Sequence, residues 1–381
     1  MLFGLAALDE LSSGVPGVAA ADLERTFGTT HAVLTLAIFL GPGVIALVVE
    51  PLLFLLADRY PRRWFVRGGL AAMAIGAWLA ALASGPVTFA LALSVLWIAS
   101  GTATGIAQAM LVDQFSHERG RTLARWSMWS LAGDLAAPGL LAALTLAGAG
   151  WRAGFAIVGG VIVICLLALI ATEPAAAPPA SSPEQAEPQP SLWAALRDAL
   201  RDRLLIAWLF GCALCDLLDE ILVVFASIHL RVDLQASPLW QSAAIAALVI
   251  GGAVGLVACD LLLKRRSERW VLVASCIGTA VTYVPWLAAP TPLVSTLLFA
   301  LVGACSAPLY ALAAAQAYAR KPEASGAVLA ASHLFTPLGL ALPVLVGTVA
   351  DHAGTSVALT LLVAQPLGLV VLVAATRASR R

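Results

Sequence analysis

Residues 172–191 read TEPAAAPPASSPEQAEPQPS, a long stretch without an apolar run in a chain of 381 residues. Its Pro, Ala, Ser and acidic side chains cannot bury enough surface to offset the entropy of ordering, so it reads as a flexible linker. What flanks it decides the fold. The chain is 61% hydrophobic and 12% charged with mean hydropathy +0.93, whereas a soluble domain carries roughly 25% charged residues. A water-soluble globule is excluded.

Apolar runs bounded by charges or Pro/Gly breaks predict helices over 2–20, 31–56, 66–84, 87–112, 123–147 and 153–172 before the linker. After it they fall over 204–230, 239–263, 270–289, 293–318, 324–350 and 355–376. Each run is close to the ~20 residues that cross a bilayer core of ~30 Å. The expected fold is all-α and integral to the membrane: twelve transmembrane helices in two pseudo-symmetric six-helix bundles, residues 1–172 and 204–381, joined by a segment over 173–203. Within that segment Leu192–Arg203 (LWAALRDALRDR) has apolar positions at helical spacing beside Arg197, Arg201 and Arg203, which predicts a short helix on the membrane surface.

Basic residues orient the chain. With the N-terminus inside, all of the 22 Lys and Arg except Arg25, Arg152 and Arg231 fall on cytoplasmic segments, among them Arg59, Arg62, Arg63 and Arg67, the Arg119–Arg125 group and Lys264–Arg269. The expectation is a multi-pass protein of the inner (plasma) membrane with both termini cytoplasmic. The N-terminus lacks a basic segment and carries Asp9 and Glu10 in its first apolar run, so it reads as a helix of the mature protein. Lys plus Arg (22) balance Asp plus Glu (22), which argues against a nucleic-acid partner. The six cysteines all lie in apolar runs and read as free thiols.

The halves repeat one another. Asp9-Glu10 followed by Asp22-Leu23 recurs as Asp219-Glu220 followed by Asp233-Leu234, and Arg62-Arg63-Trp64 recurs as Glu268-Arg269-Trp270. Parallel duplication of a six-helix unit is the plan of one large secondary-transporter architecture.

The loop Leu56-Ala57-Asp58-Arg59-Tyr60-Pro61-Arg62-Arg63 resembles the motif G-x-L-A-D-R-x-G-R-R of the major facilitator superfamily, with Phe54 and Pro61 standing where that family has Gly. Its Tyr-Pro form is similar to fosmidomycin-resistance-like members. Gly133-Asp134-Leu135-Ala136-Ala137-Pro138-Gly139 resembles the drug/proton antiporter motif G-x-x-x-G-P, with Ala137 in place of the second Gly. The mid-helix Arg of helix 4 in that family is missing; Trp97 and Ile98 stand near its place. The resemblance implies alternating access, with Asp58, Arg59, Arg62, Arg63 and Asp113 forming a conformational latch at a helix junction. The plainer reading of these arginines is that they only enforce topology.

The helix interiors hold Asp9, Glu10, Glu50, Asp134, Asp216, Asp219 and Glu220 but no Lys or Arg. An ionised acid at a helix centre costs roughly 2.5 to 3.5 kcal/mol on the insertion scale, so these groups must face water, carry protons or meet a cation. At 1.5 Å per residue, Asp9, Asp134, Asp216 and His333 lie ~12 to 18 Å into their helices. Asp216, Asp219 and Glu220 at i, i+3 and i+4 would share one face of helix 7. Glu50, near the helix end beside Pro51, is weighted toward the latch.

Asp9, Glu10, Asp134, Asp216, Asp219, Glu220 and His333, with Gln108 and Tyr310, are the candidates for proton or cation coupling and for lining a substrate cavity. The leading expectation is a secondary transporter, a monomer, that exports a cationic or neutral amphipathic small molecule in exchange for protons, with no cofactor. Two alternatives remain open: a divalent transition-metal carrier using Asp9, Asp134, Cys215, Asp216 and His333, and a non-transporting membrane sensor or scaffold. No G-x-x-x-x-G-K-[ST], H-E-x-x-H or G-x-S-x-G occurs, so neither an enzyme nor an ATP-driven pump is expected.

Overall fold

The structure is a computed structural model that describes residues 1–30, 33–34, 36–172, 191–322 and 324–378. Among these residues all regular structure is helical. The spans are α1 (Leu2–Val18), α2 (Leu36–Ala57), α3 (Arg62–Leu82), α4 (Pro86–Gln114), α5 (Arg119–Leu146) and α6 (Trp151–Thr172). They continue as α7 (Arg203–Ala213 and Glu220–Val232), α8 (Pro238–Leu263), α9 (Glu268–Leu287), α10 (Pro292–Tyr318), α11 (Ser325–Ala353) and α12 (Thr355–Thr376). Among the described residues ten are long and apolar enough to cross a bilayer; α1 has 17 residues, and the interrupted α7 supplies two shorter apolar helices. Most of the expected linker lies outside the described residues. Its end, Leu192–Arg201, forms the expected short helix, and Ser191 Oγ accepts the Ala194 N–H at 3.1 Å there.

Local chemistry sets the boundaries. Prolines at 86, 238 and 292 open helices where a missing N–H costs nothing. Asp202 Oδ1 accepts the N–H groups of Leu204 and Leu205 at the start of α7. Ser267 and Thr291 cap α9 and α10. In the second half α8 and α10 lie almost backbone to backbone: a Cβ on Gly255 would sit 2.6 Å from the Ala304 carbonyl carbon, so only glycine allows this crossing.

The fold departs from the expectation at α7. The sequence predicts one continuous helix over 204–230 with three acids on one face. The structure instead has a 3-10 segment at Leu214–Leu218 and then Asp219 at φ −120° and ψ −106°, before the α-helix resumes at Glu220. The tighter turn plus one non-helical residue destroys the i, i+3, i+4 register. Asp side chains compete with the helix for backbone donors, and a stack of like charges on one face is unfavourable. A similar interruption puts His333–Phe335 in a 3-10 turn of α11, just before Pro337, whose ring excludes a regular helical bond to the preceding turn.

The chain packs as two compact units. One comprises Met1–Asp113, Trp129–Asp198 and Ala324–Ala330; the other comprises Gln114–Met128, Ala199–Glu323 and Ala331–Arg381. The first turns of α11 therefore belong with the first unit, and those of α5 with the second. Away from the basic loops each unit is closed by aromatic rings. Phe27, Phe89, Trp151 and Phe155 meet edge-on or tilted in the first. Trp286 stacks on Phe299 and touches Tyr283 and His229 in the second. His229 is buried there and bonds Asp233 at 2.6 Å.

Candidate functional site

In the first unit two intramembrane acids converge on α4. Asp9 of α1 accepts the Ser100 hydroxyl through Oδ1 and the Thr104 hydroxyl through Oδ2, the latter at 3.2 Å. Glu50 of α2, 8% exposed, lies against Gly101: a Cβ there would be 2.8 Å from the Glu50 carboxyl carbon. Asp9 and Glu50 therefore reach α4 at consecutive residues, Ser100 and Gly101. Ser100, Gly101 and Thr104 thus form one polar and small patch of a largely apolar helix. Neither α1, α2 nor α4 contains a Lys or Arg. The structure sets Glu50 against α4 rather than in the latch, because packing against a glycine, not position along α2, fixes its place. Sequence reasoning does not single out Ser100 and Thr104, although their spacing of four puts both hydroxyls on one helical face.

The other half of the antiporter-like segment explains how α1 is held. A Cβ on Gly133 would be 2.8 Å from Glu10 Cβ, and a Cβ on Gly14 would meet Ala137 Cβ at 2.8 Å. The small residues of G-x-x-x-A-P are the surface on which the acid-bearing α1 crosses α5. Asp134, next to Gly133, is exposed, and Glu10 is half-buried. Gln108 is buried in α4.

In the second unit the backbone places Asp216 in the 3-10 segment, Asp219 at the break and Glu220 at the restart of α7. Asp219 is exposed, and Tyr310 is 42% exposed on α10. Cys215 is buried and donates to the Gly211 carbonyl at 3.4 Å. His333 occupies the 3-10 turn of α11 and is half-buried. Among the described residues no three His, Cys, Asp or Glu side chains gather as a metal site.

The latch residues Asp58, Arg62 and Asp113 meet. Arg62 donates to Asp58 at 2.8 Å, to Asp113 at 2.5 Å and to Ser325 Oγ at 2.8 Å, and Ser325 Oγ donates to Asp113 at 2.7 Å. The Asp58 carboxylate then accepts the N–H groups of Gly326 and Ala327 at 3.1 and 3.0 Å, satisfying donors that the first turn of α11 leaves open. Arg59 is exposed, and Arg63 makes no polar contact among the described residues. Phe54 and Gly105 explain one departure from the family motif: the Phe54 ring fills the space that a Cβ on Gly105 would enter at 3.2 Å. The glycine absent from α2 is supplied by α4.

A related clamp occurs in the second unit. Asp260, near the end of α8, accepts Arg121 Nε at 3.2 Å and Arg125 Nε at 3.0 Å from the first turns of α5. Glu268, which opens α9, accepts the Gly120 N–H at 2.7 Å and the Gln316 amide at 2.8 Å. Under the duplication α2 corresponds to α8 and α11 to α5. The two clamps thus use similar places: an acid at or just before the end of the second helix of one half grips the start of the fifth helix of the other.

These observations define the class: a polytopic helical membrane protein with an acid clamp in each unit at the basic-loop end and acids within its spans. The family model "Major Facilitator Superfamily" matches residues 2–216, and the model "MFS/sugar transport protein" matches residues 116–325. The chain belongs to the major facilitator superfamily. Among solved structures it is similar to the transporter FucP in the outward conformation, with TM-score 0.75 and 14% identity over 99% of this chain and 97% of that one. It is likewise similar to a variant of the E. coli fucose:proton symporter FucP, with TM-score 0.74 and 14% identity over 98% of this chain and 97% of that one. The human organic anion transporter MFSD10 (TETRAN) matches with TM-score 0.70 and 16% identity, again over 98% of this chain and 97% of that one. No curated protein sequence matches the chain.

Proposed function

We propose that this transporter exchanges protons for a cationic or neutral amphipathic small molecule, and that Asp9 and Glu50 are the groups over which the two compete. The carrying observation is the Asp9 carboxylate held by two hydroxyls of α4 beside the buried Glu50, on helices without a basic residue. Two carboxylates set against consecutive residues of one helix, Glu50 buried and Asp9 half-buried, repel one another when both are ionised and then need a positive charge nearby. A proton or a substrate cation fills that need, and each displaces the other. Ser100 and Thr104 fix the Asp9 carboxylate while it is charged, since hydrogen bonds to an ionised group are the strong ones. Fold does not choose the substrate, because the same architecture serves a fucose:proton symporter and an organic anion transporter. Acids within spans that hold no Lys or Arg support a positive cargo. Asp134, Asp216, Asp219, Glu220 and His333 belong to the same pathway in this reading, with Glu10, Gln108 and Tyr310 as further cavity residues.

Alternation in this reading is a rocking of two six-helix bundles, residues 1–172 and 204–381, about the joint at 173–203. The Asp58–Arg62–Asp113 and Asp260–Arg121–Arg125 clamps close the cytoplasmic side of a monomer in the inner membrane. Their ion pairs open and re-form once in each cycle. The test is a melting-temperature screen of organic cations at about pH 6 and about pH 8, with the wild-type chain and Asp9→Asn, because a ligand that binds only the folded state raises its stability. A cation that stabilises more at the higher pH, and loses that advantage in Asp9→Asn, supports the exchange. Equal stabilisation at both pH values overturns it.

A further inference from the structure

A polar cavity of about 480 Å³ lies in the second unit where the start of α5 meets the turn between α8 and α9. His117, Glu118, Arg121, Lys264, Arg266 and Glu268 line it. Its two carboxylates already have partners: Glu118 accepts Arg121 at 2.7 Å, while Glu268 takes the Gly120 N–H and the Gln316 amide. Arg121 is spent on Glu118 and Asp260. The Lys264 and His117 side chains make no hydrogen bond or ion pair among the described residues, and the one contact of the Arg266 guanidinium among them is the Trp270 ring, 5.1 Å from its centroid. Two side chains of fixed positive charge therefore face a polar cavity whose negative groups are satisfied, with an imidazole across from them. At ~30 Å³ per water the space admits a hydrated anion with room to spare.

We propose that this cavity binds a phosphate-bearing anion, with Lys264 and Arg266 as its principal contacts and His117 as a third. Lys264 supplies a compact point charge, and Arg266, stacked on Trp270, supplies a planar fork held in place by the ring. The anion is either a soluble phosphate compound or the headgroup of an anionic phospholipid, because basic residues beside a membrane surface attract both. The site is separate from the acid pair on α4 and does not depend on which cargo the protein carries. Its ligand would bridge residues before α5 to residues between α8 and α9, the same segments that the Asp260 clamp joins.

The test uses the full-length chain. Melting is followed in detergent with inorganic pyrophosphate against KCl of equal ionic strength, and in nanodiscs of phosphatidylglycerol against phosphatidylcholine. Saturable stabilisation by pyrophosphate points to a soluble ligand, and stabilisation confined to phosphatidylglycerol points to a lipid headgroup; either supports the site. The double variant Lys264→Gln/Arg266→Gln should weaken the effect at least about tenfold, roughly 1.4 kcal/mol. Lys264→Arg keeps the charge and should retain most of the effect, which separates loss of the site from loss of the fold. No stabilisation by either probe, or stabilisation that survives the double glutamine variant, overturns the proposal.

Discussion

The carboxylate of Asp58 accepts the backbone N–H of Gly326 at 3.1 Å, across 268 positions of sequence. A side chain at the end of α2 thereby caps α11. The contact leaves no room for a larger residue: a Cβ on Gly326 would lie 2.7 Å from the Asp58 carboxyl carbon. Gly326→Ala should therefore push the carboxylate off the helix start and cost about 1 to 3 kcal/mol. Chemical denaturation of the purified protein measures this, and a loss below a few tenths of a kcal/mol would show that the turn yields freely.

Asp260 and Arg125 offer the equivalent test in the second unit. The double-mutant cycle Asp260→Asn with Arg125→Gln should give a coupling energy of about 0.5 to 2 kcal/mol, smaller than the single effects because Arg121 also bonds Asp260. Strict additivity in unfolding measurements would remove this pair from the clamp.

Phe54 and Gly105 should behave as a compensating pair. Gly105→Ala alone forces the Phe54 ring to shift and should destabilise by about 1 kcal/mol or more. Adding Phe54→Leu should restore part of that loss. Melting temperatures of the three variants decide the point, and an additive penalty counts against it.

Asp202 provides a pH signature outside the membrane spans. Burial alone would raise its carboxyl, but hydrogen bonds from Arg320 and from the Leu205 and Leu204 N–H groups, with the Arg320 charge, hold it below its ordinary 3.8. A carboxyl lower in the folded state stabilises above its unfolded value and loses that contribution as pH falls through the folded one. The stability gap between wild type and Asp202→Asn should thus be flat from about pH 8 to pH 5 and narrow below about pH 4. Its Arg320 part should be only about 0.5 kcal/mol, because the pair is partly exposed. A gap that widens on acidification contradicts the assignment.

Much of this molecule is legible in its sequence, and the boundary of that legibility is physical. The places of the long membrane-spanning helices follow from hydropathy, which operates residue by residue. Asp58, Arg62 and Asp113 can be grouped because charged side chains at a helix junction need partners. Their other partners cannot, since Gly326 and Ala327 contribute only backbone N–H groups that every such residue carries. Glu50 is misplaced by counting along α2, which gives depth but not which neighbour it meets; the glycine at 101 that receives it is on another helix. The break in α7 is hidden for a related reason: the apolar period runs through Leu214–Leu218 undisturbed, and only the backbone at Asp219 reveals the interruption.

The exchange of a proton for a cargo at Asp9 and Glu50 is tested most directly by flux. In proteoliposomes with an imposed pH gradient, a cation identified by melting shift should accumulate with the wild-type protein. Asp9→Asn should abolish accumulation while still allowing unlabelled cargo to exchange for labelled cargo without a gradient. Gradient-driven accumulation by Asp9→Asn at the wild-type level would contradict the account.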